Sequence, residues 1–247
     1  MPGSAPPSLT TEFLDYEAGD GTVLEAYVAR PAGQEGPRSC VLLGHDWSGP
    51  NASIRAIADR IAGLGHVAFV LDVYGKGVRG DELGDNSALM APLLADRGLL
   101  RRRLLAGHAA ASRHPAVDPG RIAVIGYCFG GLCALDLARA APPRLRGAVS
   151  IHGVLTPPAL GPQAPITAGI LLLHGWEDPM APPQDVLAIA RELTQAGADW
   201  QLHAYGHAMH AFTFERARMP ERGIAYHEAS ARRAWRAMTD FLAEVLA

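Results

Sequence analysis

The chain has 247 residues, 49% of them apolar, and a formal net charge of −3 at neutral pH. This composition can supply the core of one large domain, and it lacks the strongly basic balance of nucleic-acid-binding proteins. No cationic segment precedes an apolar stretch at the N-terminus, and no apolar run approaches the ~20 residues of a membrane span. We therefore expect a soluble, cytoplasmic protein without a nucleic-acid or membrane partner.

The first residues of the chain are rich in proline and glycine, and patterns typical of strands begin after them. We therefore expect a flexible N-terminus over residues 1–10 and a single domain over 11–247. The segment Thr22–Ala29 alternates apolar and polar residues, which predicts an antiparallel strand near a sheet edge. Later runs are continuously apolar, as in parallel strands that are covered on both faces. They are "CVLLGH", "HVAFVLDVY", "RIAVIGY", "RGAVSIHG" and "GILLLHG", and an alternating run, "DWQLHAY", follows them.

Helical patterns separate these runs, with apolar residues spaced by three and four positions. They cover residues 51–65, about 86–114, 130–140 and 182–197, and a stripe from Trp235 to Leu246 predicts a C-terminal helix docked on the core. This alternation indicates an α/β domain whose mostly parallel central sheet has about seven or eight strands and helices on both faces. Ligands of such sheets bind at the carboxyl ends of the strands, so we look for site residues there.

The stretch "VIGYCFGGL" places Cys128 between the end of an apolar strand and the start of a helix. Gly126 and Gly130 lie two positions before and after it, which is the pattern of a sharp strand-turn-helix elbow with a strained nucleophile. The N-terminus of the following helix favours a thiolate and a developing oxyanion. The sequence therefore predicts Cys128 as a nucleophile, whereas Cys40 and Cys133 have the apolar surroundings of core residues.

An acid and a histidine base follow the nucleophile in α/β-hydrolases, in that order. Asp178 lies in the loop after "GILLLHG" and His210 in the loop after "DWQLHAY", so both fall at strand ends. Glu177 and His207 are the alternative acid and base, because each lies close in sequence to the preferred residue. His203, His207 and His210 are spaced like metal ligands, but no cysteine or carboxylate completes the set, and we expect no metal site.

The motifs "GYCFGG", "HGWEDP" and "HAMHAF" together resemble those of the dienelactone hydrolase family. The resemblance extends from about Thr11 to the C-terminus and includes the opening "DGTVLEAYVARPAG". It implies an α/β-hydrolase fold and a triad in which Cys128 is the nucleophile, His210 the base and Asp178 the acid that orients it. It also implies hydrolysis of a small ester or lactone without a cofactor.

The resemblance further implies roles for the stretch "GHDWSGPN" after the first parallel strand. The backbone amides of Trp47 and Phe129 would form the oxyanion hole. Asp46 occupies the position at which the founding enzyme of the family has a glutamate that helps to control the resting thiol, and it is one methylene shorter. Asp46 is therefore either a thiol-controlling pocket residue or a loop residue that binds backbone amides.

The founding enzyme holds a substrate carboxylate with two arginines, and this chain departs from that pattern. The first position holds Lys76 and the second falls near Phe214, while Arg79 and Arg216 lie nearby out of register. These three cations, together with Tyr74 at the end of the second parallel strand, are the candidate substrate-binding residues. Because a lysine cannot reproduce a bidentate guanidinium contact, we expect only a weak preference for carboxylate-bearing lactones.

The sequence thus predicts a cysteine hydrolase of small carboxylic esters or lactones that works through a thioester. Two alternatives stay open: a non-catalytic homologue that binds a small molecule, and a redox sensor in which Cys133 resolves an oxidised Cys128. The expected partner is a small-molecule substrate, and both a monomer and a small homo-oligomer fit the sequence. Whether the loop over residues 153–168 closes over the pocket is left open.

Overall fold

The computed structural model describes residues 8–33 and 36–247. Residues 1–7 of the predicted flexible N-terminus, 1–10, lie outside the described ranges, and Leu9 already begins the first strand. The main-sheet strands are β1 Leu9–Glu17, β2 Val23–Pro31, β3 Arg38–Gly44, β4 Val67–Val70, β5 Val117–Tyr127, β6 Leu145–Ile151, β7 Gly169–Gly175 and β8 Trp200–Tyr205. The helices are α1 Ala52–Ala62, α2 Ser87–Ala95, α3 Arg97–Arg113, α4 Phe129–Arg139, α5 Pro183–Gln195 and α6 Glu228–Val245. A short strand pair, β9 Arg218–Met219 and β10 Ile224–Ala225, flanks a 3₁₀ helix, Pro220–Arg222.

The eight-stranded sheet has the order β1-β2-β4-β3-β5-β6-β7-β8. Strand β2 pairs antiparallel with both β1 and β4, and all later neighbours pair parallel. The predicted mostly parallel sheet is therefore confirmed, as is the antiparallel strand near its edge. The edge strand itself, β1, is not among the predicted strands.

The predicted helical stretch over residues 86–114 forms two helices, α2 and α3, which meet at Asp96. The backbone of Asp96 is not helical, with φ −119° and ψ 82°. Its carboxylate accepts a hydrogen bond from Leu99 N–H at 2.8 Å and so caps α3. A capping aspartate favours the start of a new helix over continuation of the previous one, which explains the division.

Helices cover both faces of the sheet. On one face α3, α4 and α5 bury Leu104, Leu132 and Ile189. On the other face α1 and α6 bury Ile61 and Met238. Each such side chain stabilises the fold by about 1.5–3 kcal/mol relative to exposure. The predicted docking of the C-terminal stripe is confirmed, because Met238 at its centre is fully buried.

Buried arginines tie the loop after β6 to the helical layer. Arg97 forms a bidentate ion pair with Asp136, with N–O distances of 2.8 and 2.7 Å, and also donates to the Thr156 carbonyl oxygen at 3.2 Å. Arg139 donates to the Leu155 carbonyl oxygen at 3.2 Å. Breaking a buried ion pair of this kind typically costs ~3–5 kcal/mol. The first residues of this loop are therefore held against α3 and α4.

Candidate active site

Cys128 lies on a tight turn between β5 and α4. Its backbone has φ 56° and ψ −117°, a conformation that costs a residue other than glycine ~1–3 kcal/mol. A Cβ atom on Gly126 would overlap the Gly130 carbonyl, and a Cβ atom on Gly130 would overlap the Gly44 carbonyl. The glycines on either side of Cys128 are thus required by the close approach of strand and helix, as the elbow pattern predicted.

The structure brings His210 and Asp178 to Cys128 from the loops after β8 and β7. His210 Nε2 lies 3.1 Å from Cys128 Sγ, and His210 Nδ1 lies 2.8 Å from Asp178 Oδ2. Both partners of the second contact are buried, and Asp178 Oδ1 also accepts a hydrogen bond from Met180 N–H at 2.8 Å. A carboxylate oxygen accepts, so Nδ1 carries a proton and Nε2 faces the sulfur.

The surroundings of His210 favour its protonated form. Burial alone would lower the pKa of His210. The electrostatic interaction with Cys128 and the hydrogen bonds to Asp178 and Cys128 outweigh burial and raise this pKa to about 10. The geometry therefore supports a thiolate–imidazolium pair, the form in which a cysteine nucleophile attacks directly.

Removal of the sulfur should lower the pKa of His210. We expect Cys128→Ala to shift the imidazole titration of His210, followed by NMR, to lower pH than in the wild-type protein, because the charge and hydrogen bond of the sulfur are lost. Wild-type His210, whose pKa of about 10 exceeds the 6.5 of an ordinary histidine, stabilises the fold fully below pH 6.5 and loses this contribution as pH rises through 10. In the variant the total contribution should be smaller, and its loss should be complete at lower pH. An unchanged titration would contradict the thiolate–imidazolium pair.

The alternative acid and base pair with each other at the surface. His207 Nδ1 lies 3.1 Å from Glu177 Oε1, and the two side chains are 91% and 46% exposed. Glu177 and His207 thus form a histidine–carboxylate contact of the same type as that of Asp178 and His210, but exposed to solvent. Among the residues that the structure describes, no group of three or more His, Cys, Asp or Glu side chains is arranged to hold a metal ion.

The three cysteines differ in exposure, which predicts their order of modification. Cys40 and Cys133 are buried, and burial raises the pKa of each thiol, whereas Cys128 is partly exposed. We expect iodoacetamide to alkylate Cys128 first in the folded protein, as measured by peptide mapping over time, and all three cysteines to react after denaturation. Equal labelling of Cys40 or Cys133 in the folded protein would defeat this expectation.

Two further histidines lie near His210, and the sequence motifs predicted no role for either. The His152 ring packs edge-on against that of His210 at 5.3 Å, and its Nε2 lies 2.8 Å from Thr213 Oγ1. His174 is also buried. Burial lowers the pKa of both His152 and His174, which keeps both rings neutral beside the imidazolium. In the sequence, only their positions at the ends of the runs that form β6 and β7 indicated that these two histidines could lie near the site.

The two backbone amides predicted to form the oxyanion hole lie directly after Cys128, at Phe129, and in the loop after β3, at Trp47. Phe129 N–H is at the first position of α4, where a helix offers it no acceptor. Trp47 lies in the loop after β3, the neighbour of β5, and is partly buried. The described residues form many backbone hydrogen bonds outside helices and strands. Neither Trp47 N–H nor Phe129 N–H is the donor in any of them.

Asp46 is engaged within its own loop. Its Oδ1 accepts hydrogen bonds from Ser48 N–H at 2.8 Å and from the Ser48 hydroxyl at 2.5 Å. That hydroxyl accepts from Asn51 Nδ2 at 2.6 Å, and Asn51 Oδ1 accepts from Ile54 N–H as the N-cap of α1. Of the two roles considered for Asp46, these contacts favour the loop residue.

Lys76 and Arg79 are paired with carboxylates of the β1–β2 ribbon. Lys76 Nζ lies 2.6 Å from Asp15 Oδ2 and 3.6 Å from Glu25 Oε1, and Arg79 Nη2 lies 3.0 Å from Glu25 Oε2. Asp15 belongs to β1, four positions from β5 in the sheet, which corresponds to roughly 19 Å at the usual strand spacing. The structure therefore does not bring Lys76 to Cys128.

The other two candidate substrate-binding residues also have partners within the protein. Arg216 forms an ion pair with Glu82 that joins the loop after β8 to the loop after β4, and its guanidinium lies 5.2 Å from the Phe214 ring centre. Tyr74 donates its hydroxyl to the Trp47 carbonyl oxygen at 2.9 Å. Tyr74 thus contacts the loop that carries the free amide.

Comparison with known proteins agrees with this geometry. A model of the dienelactone hydrolase family matches residues 24–246. The chain belongs to the dienelactone hydrolase family. This confirms the family, the α/β-hydrolase fold and the hydrolase class predicted from the motifs. A protein of Escherichia coli that is provisionally named a carboxymethylenebutenolidase is 30% identical over 233 residues, which cover 90% of this chain and 82% of that protein.

Solved structures of dienelactone hydrolase-like proteins match nearly the whole chain. A dienelactone hydrolase-like promiscuous phosphotriesterase from metagenomic libraries is 31% identical, with a TM-score of 0.91 over 97% of this chain and 100% of the other. A protein of Klebsiella pneumoniae that is provisionally named a dienelactone hydrolase is 26% identical, with a TM-score of 0.74 over 95% and 99% of the two chains.

None of the helices in the described part of this chain has the length and apolar composition that a membrane span requires.

Proposed function

We propose that this member of the dienelactone hydrolase family hydrolyses small carboxylic esters or lactones with Cys128 as nucleophile, through a thioester. One observation carries the proposal: the continuous contact from Asp178 through His210 to a strained cysteine at a helix N-terminus. Such a set supplies an ionised nucleophile, a proton donor and a group that fixes the imidazole. No organic cofactor or metal enters the reaction.

In the first half-reaction the Cys128 thiolate attacks the substrate carbonyl and forms a C–S bond. The carbonyl electron pair moves to oxygen, and the Trp47 and Phe129 amides stabilise the resulting oxyanion. Each donor of this kind typically contributes ~3–4 kcal/mol in the transition state. The C–O bond then breaks, and His210 Nε2 gives its proton to the leaving alkoxide. Asp178 holds the imidazole in place throughout.

In the second half-reaction neutral His210 takes a proton from water, which attacks the thioester carbonyl. A second oxyanion forms in the same place and collapses, the C–S bond breaks, and the carboxylic acid leaves. Cys128 returns to the thiolate and His210 to the imidazolium. Atoms and charges balance, so the cycle requires only water.

Phosphotriester hydrolysis is a second candidate activity. It is favoured by the similarity to the promiscuous phosphotriesterase, which extends over the whole of that chain. A thiolate can attack phosphorus as it attacks carbon, and the same amides would face a phosphoryl oxygen. Turnover of paraoxon alongside p-nitrophenyl acetate would support it, and stoichiometric inactivation by paraoxon would restrict the enzyme to carboxylic esters.

The two non-enzymatic alternatives have less support. A binding homologue would not require the buried contacts of Asp178 and His210. A redox sensor would require Cys133 to reach Cys128, yet Cys133 is 1% exposed and packed into the core around α4. Failure to hydrolyse any activated ester would restore the binding alternative.

Substrate preference tests the proposal through the positions of the cations. Because Lys76 and Arg79 are paired at the β1–β2 ribbon, we expect carboxylate-bearing lactones to show less than a hundredfold advantage in kcat/KM over neutral esters of similar size. The measurement is a panel of p-nitrophenyl acetate, longer acyl esters, and neutral and anionic lactones. A larger advantage would mean that one of these cations, or Arg216, leaves its carboxylate partner to hold the substrate.

A further inference from the structure

The backbone that carries the Trp47 amide is held by side chains on its buried side. We call residues 45–49 the oxyanion loop. His45 Nδ1 lies 2.6 Å from the Asp46 carbonyl oxygen, and Gly49 N–H donates to the same oxygen at 3.2 Å. The Asp46 carbonyl and the Trp47 N–H belong to one planar peptide unit and point in opposite directions. Fixing that carbonyl therefore fixes the direction of the amide.

The protonation of His45 follows from this contact. A carbonyl oxygen can only accept, so Nδ1 carries the proton and Nε2 has a free lone pair. Burial lowers the pKa of His45, which is 1% exposed, and the ring stays neutral. Nε2 has no hydrogen-bond partner in the described part of the protein. In the described part of the protein, the His45 ring therefore makes its polar contact through Nδ1, with the Asp46 carbonyl oxygen.

Tyr74 holds the next peptide unit of the same loop. Its hydroxyl donates to the Trp47 carbonyl oxygen at 2.9 Å. Its ring lies 4.8 Å from the His45 ring and is stacked on the Phe129 ring at 6.0 Å, with 14° between the planes. Tyr74 thus touches both residues whose amides are free, Trp47 through a hydrogen bond and Phe129 through its ring.

We propose that His45 and Tyr74 are positioning residues of the oxyanion hole, which hold the Trp47 and Phe129 amides at the spacing that a developing oxyanion requires. This inference rests on the proposed ester hydrolysis. Hydrogen bonds to the Asp46 carbonyl also polarise that peptide unit and make Trp47 N–H a stronger donor. The pair acts through these amides on the transition state and does not contact the sulfur.

Two reactions of Cys128 separate this role from an effect on the nucleophile. Ester hydrolysis forms an oxyanion, whereas alkylation by iodoacetamide displaces iodide at a saturated carbon and forms none. We expect His45→Leu to lower kcat for p-nitrophenyl acetate about ten- to a hundredfold, and Tyr74→Phe about three- to thirtyfold, with KM within threefold. The alkylation rate of Cys128 should stay within twofold of wild type in both variants.

Two control variants separate positioning from general structural damage. His45→Asn places an amide nitrogen near the position of Nδ1 and should restore kcat to within about fivefold of wild type. Tyr27→Phe removes a comparable hydroxyl contact, the 2.7 Å bond to Asp59 on α1, and should leave kcat unchanged. Tyr74→Phe keeps the ring stack, so it tests the inference even where His45→Leu fails to fold.

Several outcomes would overturn the inference. One is an unchanged kcat in folded Tyr74→Phe and His45→Leu, and another is a fall in alkylation parallel to the fall in hydrolysis, which would place the effect on the thiolate. Equal losses of kcat in His45→Asn and His45→Leu would show that the hydrogen bond of His45 is not the cause of the loss. Lack of ester turnover in the wild-type protein would instead defeat the proposed function, and the oxyanion role with it.

Discussion

Cys128→Ala is expected to abolish ester hydrolysis while the protein stays folded, because alanine still fits the turn and no other nucleophile takes the place of the sulfur. The loss should be at least about ten-thousandfold in kcat, the scale seen when a nucleophile is removed from a triad. Cys133→Ala is the matched control. It removes a thiol of the same helix that lies in the core, and it should leave kcat unchanged even where it lowers thermal stability.

Cys128→Ser should also be impaired, although it retains a nucleophilic atom. A hydroxyl has a much higher pKa than a thiol, so the attack requires His210 to act as a general base at the same time, in a site arranged for a nucleophile that is already ionised. We expect a fall in kcat of about ten- to ten-thousandfold, which is ~1.4 to 5.5 kcal/mol of transition-state stabilisation. Steady-state kinetics with p-nitrophenyl acetate measures both variants, and wild-type rates in folded Cys128→Ala would refute the mechanism.

Asp178→Asn is the second large effect that we expect. The amide removes the charge that stabilises the imidazolium, and it can donate to Nδ1 and so hold the neutral ring in the wrong tautomer. The contact is buried and 2.8 Å long, so solvent does not compensate. We expect kcat to fall by about a hundred- to ten-thousandfold, together with slower alkylation of Cys128 at neutral pH.

The neighbouring surface pair provides the control for Asp178. Glu177→Gln makes the same chemical change one residue earlier in the same loop, where the carboxylate pairs with exposed His207. It should change kcat by less than twofold, because exposed pairs contribute little. If Glu177→Gln impaired hydrolysis more than Asp178→Asn did, the assignment of the acid would have to be reversed.

Sequence patterns predicted the parallel part of the sheet because strands covered on both faces are continuously apolar. The edge strand β1 carries exposed and charged residues, and Phe13 in it is 56% exposed, so it lacks such a run. The division between α2 and α3 depends on a single capping residue, Asp96. Neither feature changes the hydrophobic periodicity on which the prediction rested.

The contacts among Cys128, His210 and Asp178 were predictable because the glycine pattern and the order of residues at strand ends both constrain geometry. The partners of the cations were not, since pairing of Lys76 with Asp15 depends on the unpredicted β1. The contacts of His45 and Tyr74 with the oxyanion loop depend on the path of the backbone, which no side-chain pattern encodes. In the sequence, His45 was visible only as a residue at a strand end, and Tyr74 only as a candidate substrate-binding residue at such an end.

The most direct test of the cysteine mechanism is the mass of the enzyme during turnover. Wild-type protein mixed with excess p-nitrophenyl acetate and quenched in acid within the first turnovers should carry one acetyl group, and peptide mapping should place it on Cys128. Hydroxylamine should remove it, as expected of a thioester, and Cys128→Ala should not acquire it. Hydrolysis at the wild-type rate with the acetyl group on another residue, or with none trapped under conditions where deacylation is slow, would contradict Cys128 as the nucleophile.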